Sequence, residues 1–168
     1  VLYHVSLKKR KKPTRQSILA EFTLVGWFVV FIYVTQLKSF GNGFGALYNL
    51  TPLVPFQTAF RFGSNNAGMI WQFLLNILMF VPLGFLLPIV FPLKCRTGTR
   101  VMLISFCTSL ATELLQLVSQ RGTDIDDLIA NTVGGVCGFA LYLVLYGAVT
   151  LAKKPKTSIN RKFIAGIA

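Results

Sequence analysis

The 168 residues are 54% hydrophobic, with mean hydropathy +0.63 and only 13% charged side chains. A soluble domain carries about a quarter charged residues, so a soluble class is excluded and one compact membrane domain is implied. The net charge of +12 would suggest nucleic acid on a soluble surface, but here the basic residues sit in short runs beside apolar stretches, the pattern of membrane topology, and no nucleic-acid partner is expected.

In chain order, residues 1–17 read as a basic tail containing KKRKK. A spanning helix needs about 20 mainly apolar residues. The first such run is 18–37, longer than the apolar core of a signal peptide and without an A-x-A site after it, so a retained helix is expected. A long connection, 38–68, follows, with Phe40, Phe44, Tyr48, Phe56, Phe60 and Phe62 beside Pro52 and Pro55. It reads as a segment lying in the outer interface or folding back into the bundle. Further spans are expected at 70–91, 100–119 and 128–151, and 152–168 reads as a second basic tail. Pro82, followed by Gly84, predicts a kink in the second span, because proline removes a backbone donor. Cys95, Cys107 and Cys137 lack pair spacing and read as packing residues. The one histidine, His4, lies in the first tail, which leaves histidine chemistry out. The expected fold is an all-α integral membrane protein, a compact bundle of four spanning helices over 18–151.

With four spans both termini share one side. That side carries 14 of the 17 Lys and Arg residues, in the two tails and at Lys94, Arg96 and Arg100, against Lys38, Arg61 and Arg121 opposite. The positive-inside rule then places both termini in the cytoplasm and turns the 38–68 loop outward.

Of five acidic residues, three fall in QRGTDIDDLIANTVGG at 120–135: Asp124, Asp126 and Asp127. Ionisable groups within a bilayer are costly and are functional candidates by default. Glu113, in the outer half of the third span, shares a face with Ser109, Thr112, Gln116 and Gln120 at spacings of three and four. On the fourth span Asp124, Asp127 and Asn131 fall at i, i+3 and i+7. That face continues through Gly134, Gly135 and Gly138, of which Gly134 and Gly138 form a close-packing GxxxG pair. Asp124 also suits the N-cap of that span. By depth, Asn76 on the second span meets Glu113, Asp127 and Asn131, with Arg121 above them.

Several chemistries fit such a cluster. The acids outnumber the one base, Arg121, which favours a site for a cationic or amphiphilic ligand over a purely structural lock. Glu113 and Asp127 as general acid and base are the catalytic alternative, although no activated nucleophile accompanies them and binding is favoured. Mg²⁺ or Ca²⁺ at Asp124, Asp126 and Asp127 is a lesser reading, since D-x-D-D lacks the glycine and twelfth-position glutamate of an EF-hand loop, and no cofactor is expected.

The pieces NLTPLVPF at 49–56, NILMFVPLGFLLP at 76–88, ELLQL at 113–117 and RGTDIDDLIANTVGG at 121–135, ending in Gly138, resemble in their order and spacing the VanZ-like family of small bacterial membrane proteins. The first piece departs from the family pattern, because Leu53-Val54-Pro55 interrupts the Pro-Phe pairing. The resemblance implies lowered susceptibility to the lipoglycopeptide teicoplanin, with the antibiotic or a cell-wall lipid as ligand beside the membrane lipids. It carries over Asn76, Glu113, Gln116, Arg121, Asp124, Asp127 and Asn131 as ligand-binding residues. The alternative implied is an enzyme acting on a lipid-linked wall precursor.

Overall fold

The structure, a computed structural model, describes residues 15–37, 48–62, 67–118 and 123–152. Residues 1–14 and 153–168 of the basic tails, with Phe40, Phe44, Gln120 and Arg121, lie outside these residues. Helix α1 (Arg15–Ile32) continues into a π-helical turn, Tyr33–Leu37, and a short strand β1 (Tyr48–Asn49) precedes a nine-residue helix α2 (Val54–Phe62). Then come α3 (Ala67–Val90), α4 (Gly98–Val118), β2 (Thr123–Asp124) and α5 (Ile125–Ala152). Among the described residues, four helices are long and apolar enough to cross a membrane: Ser17–Gln36 within α1 and its π-turn, Gly68–Val90, Gly98–Val118 and Ile125–Leu151.

The burial pattern is inverted relative to a soluble bundle. The buried residues of α4 are Val101, Ser105, Ser109, Thr112, Glu113 and Gln116, while its Leu103, Leu114 and Leu115 are exposed. On α1 and α3, Phe22 and Leu78 are 71% and 64% exposed. Lipid tails are as apolar as leucine, so nothing drives these faces inward, and polar groups and close backbone packing take over the interior.

Glycine supplies that packing. A Cβ on Gly134 would run into the Ile77 carbonyl oxygen, one on Gly138 into that of Val81, and one on Gly84 into that of Gly135. The expected GxxxG seam therefore joins α5 to α3, the most extensive helix pair in the fold. Helix α3 runs unbroken through Pro82 and Pro88. Proline at 82 leaves the Leu78 carbonyl without its usual donor, and the next carbonyl, Met79, accepts the Trp27 indole N–H at 2.8 Å. Trp27 stacks on Phe31 at 4.9 Å, and both rings meet Phe80 edge-on at the heart of the apolar core.

The long connection departs from a plain interfacial loop. Its described part holds α2 and a two-residue strand that pairs in parallel with β2, Tyr48 with Thr123 and Asn49 with Asp124. Helix α5 also begins three residues before the expected 128, which brings Asp126 and Asp127 into its first turn. The reason is local: Asp124 Oδ1 accepts the Asp126 amide at 2.9 Å, the N-cap bond expected of Asp124.

Candidate functional site

The acids gather where the α3 start, the α4 end, β2 and the α5 start meet. Each carboxylate takes a different partner. Asp127, on the first turn of α5, accepts a hydrogen bond from Asn76 Nδ2 of α3 at 2.5 Å. Glu113, only 3% exposed, accepts the Asp124 amide at 3.0 Å, and its backbone carbonyl accepts the Thr123 hydroxyl at 3.2 Å. Asp124 also accepts from Asn49 Nδ2 at 3.3 Å. The buried Asn131 side chain donates to Ser109 Oγ at 2.9 Å, and Gln116 reaches the Thr35 carbonyl in the π-turn at 3.5 Å. Asn76 and Asp127, Glu113 and Asp124, and Asn131 and Ser109 thus pair between elements, while Gln116 bonds to the π-turn. Arg121 lies outside the described residues.

Asp126 carries a role the helical spacing does not reveal. Its carboxylate accepts the Leu53 and Val54 amides at 2.5 and 3.0 Å. These are unpaired donors at the start of α2, where a negative charge also meets the positive end of the helix dipole. Leu53 has φ of 60°, a left-handed conformation that a bulky residue rarely adopts. The same residue offers its carbonyl to the Phe56 and Gln57 amides at 3.1 and 3.0 Å. Asn49 closes the other side of the turn by accepting the Thr51 amide at 3.1 Å. Asp126 and Asn49, neither among the residues carried over by resemblance, therefore fasten the 48–62 segment across the start of α5. An Asn-x-Thr-Pro sequence is an Asx-turn signal that marks Asn49, whereas nothing local to Asp126 identifies its partners.

Beneath this segment lies a cleft of about 50 Å³, lined by Val54, Pro55, Met69, Gln72 and Phe73 together with all three aspartates. Phe56 covers Phe73 edge-on at 5.2 Å. The space suits an ammonium group or one or two waters, against the roughly 300–1,000 Å³ of a drug-sized pocket. For a divalent cation the carboxylates diverge: Asp126 is engaged by two amides and Asp127 by Asn76. Among the described residues no group of three or more His, Cys, Asp or Glu is arranged to hold a metal ion.

Residues 19–146, two of the four spanning helices in full and most of α1 and α5, match the model of the family described as VanZ/LLP1. The chain belongs to the VanZ/LLP1 family. It is 31% identical over 117 residues to Protein VanZ of Enterococcus faecium, an alignment covering 69% of this chain and 65% of that protein. The chain thus spans just under two thirds of the length of this VanZ relative. No solved structure matches it. The VanZ/LLP1 match takes in every hydrogen-bonded polar residue described above, from Asn49 to Asn131, and the close-packed Gly84, Gly134 and Gly138.

Proposed function

We propose that this chain acts in the bacterial plasma membrane to lower susceptibility to lipoglycopeptides of the teicoplanin type, by engaging the amine of an amphiphile at the acid cleft. The amphiphile is the antibiotic itself or a cell-wall lipid. The cleft faces outward in this reading, as the concentration of basic residues at the other end requires. The observation that carries the reading is the cleft's mixed lining: three aspartates together with Val54, Pro55, Met69 and Phe73. Carboxylates attract a cation, and apolar side chains in the same lining accept the start of a hydrocarbon chain. The cleft's size requires that the 48–62 segment lift before anything larger than an amine enters.

The catalytic alternative draws less support. An acid–base pair must reach one reacting atom, and Asp127 borders the cleft while Glu113 is not among its lining residues.

The test is susceptibility. The chain is expressed in a sensitive Gram-positive host, with Asp127→Asn and Glu113→Gln at matched membrane abundance, against teicoplanin and vancomycin in parallel. Protection from teicoplanin alone, lost in Asp127→Asn, is expected. Protection that survives Asp127→Asn would return the acids to a packing role, and no protection in the wild type would overturn the reading.

A further inference from the structure

The end of the bundle opposite the acid cleft carries a second feature. A groove of about 600 Å³ opens between α1, α3 and α5, walled by Leu19, Thr23, Leu86, Ile89, Tyr142 and Tyr146. The volume falls in the range of sites that hold one small organic ligand. The Thr23 hydroxyl donates to the Leu19 carbonyl within its own helix at 2.8 Å, so it makes no polar demand on an occupant. Tyr142 and Tyr146 stack at 5.7 Å, and tyrosine is enriched where hydrocarbon meets headgroups.

Basic residues neighbour the groove's lining in sequence. Arg15, exposed, lies four residues before Leu19 and so on the same face of α1. Pro92 lines the groove, and the exposed Lys94 and Arg96 follow it. The three aspartates and Glu113 belong to the far end of the bundle, and Glu21, the one acid on α1, is not among the groove's lining residues.

We propose that this groove holds an acyl chain of an anionic phospholipid, whose phosphate rests on the rim formed by Arg15, Lys94 and Arg96. An acyl chain gains little by exchanging neighbouring lipid tails for leucine walls. Selection therefore comes from the fit of the groove and from the charge at its mouth. The site is independent of the acid cleft and of whatever that cleft binds.

The experiment uses the purified full chain in detergent micelles. Phosphatidylglycerol and phosphatidylethanolamine with identical chains are titrated in, and bound lipids are counted by native mass spectrometry. A preference of roughly tenfold for phosphatidylglycerol is expected, the order that a few interfacial cations confer. The double substitution Lys94→Gln and Arg96→Gln brings the two lipids towards parity. Thr23→Trp, at an exposed groove position, lowers binding of both lipids, whereas Phe22→Trp, exposed on the same helix outside the groove, lowers neither. Equal binding of the two lipids by the wild type would overturn the proposal, as would a Thr23→Trp variant indistinguishable from Phe22→Trp.

Discussion

Asn76 donates to Asp127 at 2.5 Å across 51 residues of sequence, tying the first half of α3 to the start of α5 beside the glycine seam. Truncating Asn76 to alanine leaves the Asp127 carboxylate short of a donor in a half-buried setting. The expected cost is about 1–3 kcal/mol. A double-mutant cycle with Asp127→Ala, followed by thermal unfolding in micelles, should give a coupling of about 1 kcal/mol, the scale of polar contacts between membrane helices. Cysteines placed at 76 and 127 should also crosslink in membranes with a short reagent. Additive single-mutant costs and no crosslink would mean that the two residues do not meet.

The glycines divide into those that set helix distance and those that do not. A Cβ at Gly84 or Gly138 meets backbone carbonyls of the facing helix, which cannot rotate away, whereas one at Gly26 meets nothing within 4 Å. Gly84→Ala and Gly138→Ala should each destabilise by about 3 kcal/mol, the upper end for overpacking. Gly26→Ala should leave stability unchanged or raise it by up to about 1 kcal/mol through helix propensity. The midpoint of heat-induced loss of the monodisperse protein orders the three variants, and a Gly138→Ala variant as stable as Gly26→Ala would contradict the close α3–α5 contact.

Much of this was legible in the sequence because it is periodic. Apolar length marked four spans, and i, i+3, i+4 spacing put Ser109, Thr112, Glu113 and Gln116 on the face that the fold buries. The same spacing put Asp124, Asp127 and Asn131 together, but it turned attention from Asp126, which lies off that face and finds its partners 72 and 73 residues earlier. Helix α2 was illegible for the same reason. A nine-residue segment is too short to be stable alone, and its starting amides are met by a carboxylate from another element. Ser105 also went unremarked, although it lies four residues before Ser109 and extends the same buried face by one turn.

Ser105 is fully buried between α4 and Gly135, and among the described residues its hydroxyl has no hydrogen-bond partner. A hydroxyl desolvated without compensation costs about 1–3 kcal/mol. Ser105→Ala should therefore stabilise the purified protein, by about 1 kcal/mol. Ser105→Val should destabilise it, because the added methyl groups press on the Gly135 backbone. If Ser105→Ala instead lowers the unfolding midpoint, the hydroxyl has a partner that matters to the fold.

The last prediction concerns the fastening of the 48–62 segment. Asp126 holds it by two charge-assisted bonds to the Leu53 and Val54 amides, each worth about 1.5–3 kcal/mol when a charged group is involved. Leu53 sits in a conformation it would leave if released, so the segment opposes its own latch. Asp126→Ala should lower the free energy of local opening by roughly 3 kcal/mol, about a hundredfold in the opening equilibrium. Asp126→Asn keeps an acceptor oxygen but loses the charge, and should fall between that variant and wild type. Hydrogen exchange at the Phe56 and Gln57 amides, which bond to the Leu53 carbonyl, reads the opening directly. The spanning helices serve as the internal control, because their exchange should not change. Met69, partly exposed and on the cleft wall, gives an independent readout: a Met69→Cys thiol should react faster with a water-soluble reagent once Asp126 is replaced. Unchanged exchange at Phe56 and Gln57 in Asp126→Ala would mean that strand pairing with β2 and the Phe56–Phe73 contact hold the segment without the carboxylate.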